Sequence, residues 1–96
     1  MPKKSIADKI IEELDTEDSE GPFILMYYLP RPKGKAIHPG FWRNLNRLFT
    51  KLEDGKRIQR SVIKCKMLRT AMAIKALAER FEARDVVIYR VQRIET

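Results

Sequence analysis

Residues 56–65, KRIQRSVIKC, mix aliphatic and cationic side chains in a run of strand length, and their reading decides the fold. A strand of this kind has one face for a core and one for an anion. Extended to Met67, it places Ile63, Cys65 and Met67 on one side and Arg60, Val62, Lys64 and Lys66 on the other. Residues 68–83 follow at helical spacing, with Met72, Ile74, Leu77, Ala78 and Phe81 as the buried stripe. The segment 85–94, DVVIYRVQRI, then alternates Val87, Tyr89 and Val91 with Val86, Ile88 and Arg90, which predicts a closing strand.

Upstream, Phe41, Leu45, Leu48, Phe49 and Leu52 recur at helical spacing, while Arg43, Asn44, Arg47 and Lys51 take other faces. This helix ends near Asp54-Gly55, the glycine suiting a left-handed cap. Residues 30–40, PRPKGKAIHPG, hold three prolines, two glycines and three cations and read as an exposed basic loop. Residues 23–29, FILMYYL, form a continuous apolar run, expected of a strand covered on both faces or buried at the centre of a sheet. Ser5 and Asp8 make a capping box for a helix over residues 6–14, whose Ile6, Ile10, Ile11 and Leu14 share one face and call for an apolar docking surface. Residues 15–20 are all polar or acidic, a linker closed by the Gly21-Pro22 breaker.

The chain has 96 residues and a formal net charge of +7. Its charge is divided: residues 1–20 carry three lysines against seven acids, a net of −4, and residues 21–96 carry 17 basic and six acidic residues, a net of +11. The expected organisation is an acidic N-terminal helix and linker, residues 1–20, and a basic domain, residues 21–96. Such asymmetry points to a polyanionic partner, DNA or RNA, with an acidic arm able to shield the same surface. The competing reading is solvated surface charge in a protein from a hot or salty setting. With one cysteine and one histidine the chain has no disulfide and no zinc spacing, so no cofactor or metal is expected. No run is long enough to span a bilayer and the N-terminus lacks a signal-peptide core, so a cytoplasmic protein without membrane contact is expected.

Helices covering one face of a sheet, in the order strand, helix, strand, helix, strand, point to an α+β ferredoxin-like sandwich of βαββαβ type with an extra N-terminal amphipathic helix. That pattern needs two strands between the helices, and about 12 residues without a turn dipeptide stand there, so one long bent strand or two strands joined by a bulge is expected. RIQRSV at 57–62 and DVVIYRV at 85–91 resemble the RxQxSV and VxIYxV strands of the small CRISPR-associated protein family numbered two, over roughly residues 23–94. The resemblance implies a homodimer of ferredoxin-like protomers, paired through sheets or end strands, acting as a metal-dependent nuclease or as a nucleic-acid-binding scaffold. In that family an aspartate following a tyrosine at the end of the first strand holds the metal. Here the place reads Tyr27, Tyr28, Leu29, Pro30, and neither tyrosine nor proline supplies the carboxylate oxygen that Mg²⁺ requires. A non-catalytic binding or scaffold protein is therefore expected, with a small nuclease or a protein-interaction module using the N-terminal helix as alternatives.

The expected nucleic-acid contacts are Arg31, Lys33 and Lys35 in the loop, Arg43 and Arg47 on the helix, and Arg57, Arg60, Lys64 and Lys66 on the strand. Edge-strand cations that discourage aggregation are the alternative for the last four. Trp42 and Tyr28 are candidates to stack on bases, or else rim and interface residues. His38 has the chemistry of a general base, although a lone loop histidine is usually solvated. Asp85 is a candidate carboxylate by position alone, Gln59 and Ser61 are turn or strand-edge groups, and Cys65 is a small buried hydrophobe.

Overall fold

The computed structural model describes residues 4–15, 17–30, 38–92 and 94. Helix α1 (Ile6–Glu13) leads into strand β1 (Glu20–Tyr28), followed by α2 (Pro39–Leu52), β2 (Lys56–Gln59), β3 (Val62–Met67), α3 (Leu68–Arg80) and β4 (Arg84–Arg90). The four strands form one antiparallel sheet in the order β2-β3-β1-β4. The fold is α+β, with three helices on one face of that sheet. Among the described residues no helix is long and apolar enough to cross a membrane.

Helices α1 and α2 have sequence-local reasons to start where they do. Ser5 Oγ accepts the Asp8 N–H at 3.1 Å and Asp8 Oδ2 accepts the Ser5 N–H at 3.2 Å, so the capping box closes reciprocally at α1. At α2, His38 Nδ1 accepts the Gly40 N–H at 2.9 Å, and Pro39 occupies the first turn, where a missing N–H costs nothing. That helix ends on Glu53 in the left-handed conformation, two residues before the expected glycine. Gly55 has its own requirement: its φ is +114° and a Cβ there would meet the Phe49 ring. Helix α3 has no cap from Met67 itself. Distant acids serve it instead: Asp54 accepts the Lys66 and Met67 N–H groups at 2.8 and 3.0 Å, and Asp18 accepts the Arg69 N–H at 3.2 Å.

The apolar run of β1 is covered on one face only, which corrects the expectation of burial on both. Phe23, Leu25, Tyr27 and Leu29 are buried, whereas Met26 and Tyr28 are exposed. β1 does occupy the centre of the sheet, between β3 and β4. Leu25, Tyr27 and Leu29 meet Ile63 of β3, Phe41, Leu45 and Leu48 of α2, and Ile74, Leu77 and Ala78 of α3 in one core, and Phe23 packs with Cys65 and Ala71 in a second, smaller cluster. Alanines 71, 73 and 78 are fully buried, and their small side chains let α3 lie close to the sheet. The N-terminal helix enters the same core through Ala7 and Ile10. Buried Asn44 ties it there, its Oδ1 accepting the Ala7 N–H at 3.0 Å while its Nδ2 donates to the Gly40 carbonyl at 2.8 Å.

Two further expectations change. The region between α2 and α3 holds two strands, β2 and β3, joined by a hairpin turn at Arg60-Ser61, in place of one bent strand or of two strands joined by a bulge. Neither turn residue is a glycine, asparagine or proline, and the turn is held from outside: Tyr27 Oη donates to the Arg60 carbonyl at 3.1 Å and Tyr27 N–H to the Ser61 carbonyl at 3.3 Å. Gly21-Pro22, read as a breaker, lies inside β1, which starts at Glu20. The register of β1 shifts there between Glu20 and Phe23, so the proline sits at an irregularity of the ladder.

Candidate functional site

The sheet face opposite the helices carries the site. Its residues follow from strand parity and register: Ile24, Met26 and Tyr28 on β1, Val62, Lys64 and Lys66 on β3, Arg84, Val87 and Tyr89 on β4, and Lys56 and Gln59 on β2. One cross-strand row runs Lys56, Lys64, Ile24, Tyr89; the next runs Val62, Met26, Val87. Met26 is 45% exposed, Tyr28 58%, Val87 39% and Tyr89 52%, so most of the described chain's exposed large hydrophobic side chains stand on this one face. Isolated exposed apolar residues are ordinary, but a contiguous set rimmed by cations marks a contact surface.

The face is unevenly charged. Lys56, Lys64 and Lys66 occupy the β2–β3 half, and the β1–β4 half is apolar or aromatic except for Arg84, the cross-strand partner of Tyr28. Lys56 and Lys64 are direct partners in the ladder, an arrangement that repels. Among the described residues the ion pairs are Lys4–Glu12, Asp8–Lys51 and Lys75–Glu79, none of which involves the three lysines. A cleft of about 430 Å³ adjoins the lysines and is lined also by Phe49, Glu53, Asp54, Gly55 and Cys65. Its Asp54 carboxylate is already committed. Burial works to raise the pKa of Asp54, but hydrogen bonds from the Lys66 N–H, the Thr70 hydroxyl and the Met67 and Gly55 N–H groups hold it below the ordinary range.

The expected site residues divide between two surfaces. Lys64, Lys66 and Tyr28 lie on the uncovered face. Arg60 lies in the hairpin turn beside it, exposed, with Ser61, and Gln59 ends β2 opposite Val62. Arg57 turns to the helix side, where its guanidinium sits 4.6 Å from the centre of the Trp42 ring. Trp42 is half-buried, packed edge-on against Phe41 at 4.9 Å, so its faces serve the helix layer. Arg43 and Arg47 are exposed on α2, away from the sheet face. Arg31, Lys33 and Lys35 lie outside the described residues. Lys56 and Tyr89 join the site although neither stood among the expected residues. Alternation already grouped Tyr89 with Val87, and it lacked only the knowledge of which side the helices cover.

The candidate chemical groups have structural occupations. Tyr27 is buried, and burial pushes its hydroxyl up to about 12 despite the opposing charge of Arg57, so it remains a neutral donor. Cys65 is 2% exposed; burial, reinforced by the Asp54 charge, pushes its thiol up to about 12, which removes it as a nucleophile near neutrality. His38 caps α2 and packs against Phe81 at 5.6 Å. Asp85 adopts φ +53° at a bulge of β4 and is exposed. At the end of β1, Tyr27 turns to the hairpin and Tyr28 to the open face; with Leu29 and Pro30 they offer no carboxylate and do not fit a divalent ion. Among the described residues no group of three or more His, Cys, Asp or Glu is placed to hold a metal. Comparison of the chain with protein-family models, curated proteins and solved structures finds no match.

Proposed function

We propose that the chain is a non-catalytic nucleic-acid-binding or scaffold protein that binds through the uncovered face of its sheet. The observation that carries this reading is the juxtaposition of Lys56 with Lys64, two residues from Lys66, with no carboxylate among the described residues paired to any of them. Like charges facing one another cost stability, and a phosphate backbone bound across them reverses the sign of that term. The order β2-β3-β1-β4, in which α2 and α3 each join strands that flank a third, supports a ferredoxin-like βαββαβ class with α1 added. The RxQxSV and VxIYxV segments fall on the hairpin and on β4, which supports kinship with the CRISPR-associated family of scaffold type. Self-association then belongs to the edge strands β2 and β4, since pairing two sheet faces would bury lysines against lysines.

Fluorescence anisotropy of a labelled oligonucleotide across a salt series tests the reading. Three phosphate contacts give a log-log slope of about −2 to −3. The triple variant Lys56→Gln, Lys64→Gln, Lys66→Gln flattens it toward zero. A triple variant that binds with the slope of the parent contradicts the assignment.

A further inference from the structure

We infer that the ligand of this face is single-stranded nucleic acid, with bases stacked on Tyr89 and Tyr28 and the backbone on the lysine half; this rests on the reading above. A duplex hides the π-faces of its bases in its own stack and offers a flat sheet little beyond phosphates. Unpaired bases present those faces, and aromatic side chains beside a cationic track are the means of holding them. Both elements are here in one register. Lys64, Ile24 and Tyr89 are successive partners across β3, β1 and β4, which sets the Lys64 and Tyr89 backbones about 10 Å apart. Tyr28 lies four residues along β1 from Ile24, about 13 Å away, with Met26 and Val87 between. A single strand crossing the β1–β4 half therefore meets one tyrosine, an aliphatic floor and a second tyrosine, with Lys64 in the Tyr89 row and Arg84 opposite Tyr28 as the cations nearest its phosphates.

Charge selects this occupant over a second copy of the chain. From Ile24 to Tyr28 and from Val62 to Lys66 no residue is acidic, and β4 adds one acid, Asp85, at its bulge. A copy docked on the face would leave Lys56, Lys64 and Lys66 without partners in a drying interface, a costly arrangement. A polyphosphate supplies what they lack.

The test compares a labelled single-stranded 12-mer with the duplex of the same sequence, against the parent and against Tyr28→Ala, Tyr89→Ala and the corresponding phenylalanine variants. Both tyrosines are more than half exposed, so the fold tolerates these changes, which a thermal melt checks. The single strand binds at least about tenfold tighter than the duplex, each alanine variant weakens it roughly 5- to 150-fold, and each phenylalanine variant stays within about twofold of the parent. Equal or tighter binding of the duplex, with alanine variants like the parent, overturns the single-strand inference and leaves the electrostatic reading standing. Failure to bind either form at low salt overturns both. Conversion of a dimer to a monomer by the alanine variants, with binding unchanged, assigns the face to a second copy and overturns the inference.

Discussion

Lys56 and Lys64 stand directly opposite one another on β2 and β3, on the side of the sheet that no helix covers. The fold gains nothing from this pair, and an anion gains from both. Lys64→Glu therefore separates folding from binding by the sign of its effects. Replacing repulsion with a cross-strand ion pair raises stability by about 0.2–1 kcal/mol, while nucleic-acid affinity falls. Urea denaturation and anisotropy on the same preparation check both. A variant that loses stability together with affinity means that Lys64 has a folding role not accounted for by its register.

Leu25 and Met26 are adjacent on β1 and differ entirely in cost. Leu25 is fully buried at the centre of the core, and Leu25→Ala costs about 2–5 kcal/mol, a large share of the total for a domain of this size. Met26→Ala, on the exposed face, stays within about 0.5 kcal/mol. Chemical denaturation midpoints read the difference. Similar losses at the two positions would mean that the second face is covered.

Much of this architecture is legible in the sequence. Helical periodicity places Phe41, Leu45 and Leu48 in one stripe and Ile74, Leu77 and Ala78 in another, because packing against a sheet demands that spacing. The parity of Val62, Lys64 and Lys66 against Ile63 and Cys65 is equally plain. The coverage of β1 is not, since FILMYYL is apolar at both parities and only the count of helical layers decides which side stays open. The hairpin escapes notice because Arg60-Ser61 lacks turn residues and depends on Tyr27, more than 30 positions away. Separation along the chain, 51 positions for Asp18 and 13 for Asp54, likewise hides the groups that serve the start of α3.

Asp54 gives the fold an acid-sensitive term. Its folded pKa lies below the ordinary value of 3.8, so its contribution is fully present above the unfolded carboxylate range and is lost as pH falls through the folded value. Asp54→Asn costs about 1–2 kcal/mol at neutral pH. The variant and the parent converge in stability as pH drops below about 4. Parallel pH profiles for the two proteins would remove Asp54 as the source.

The N-terminal helix is structural in this account. Asn44→Leu strands the Ala7 N–H in the core, at a cost of about 1–3 kcal/mol. Deletion of residues 1–20 lowers the melting temperature. A truncated chain that melts like the parent and binds nucleic acid more tightly would instead identify the segment as an acidic shield.

Cys65 reports on unfolding. With a thiol 2% exposed and pushed up to about 12, alkylation by iodoacetamide at pH 8 proceeds in proportion to the unfolded fraction and accelerates with urea. Rapid labelling of the native protein would show that the β3–α3 junction opens locally.

The most direct measurement is a heteronuclear NMR titration of the ¹⁵N-labelled protein with a single-stranded 12-mer at low salt. The account predicts that shifts concentrate at Ile24, Met26, Tyr28, Val62, Lys64, Lys66, Val87 and Tyr89, with Phe41, Leu45 and Ile74 unmoved. Shifts centred on α2 around Arg43 and Arg47, or none at millimolar oligonucleotide, would contradict it.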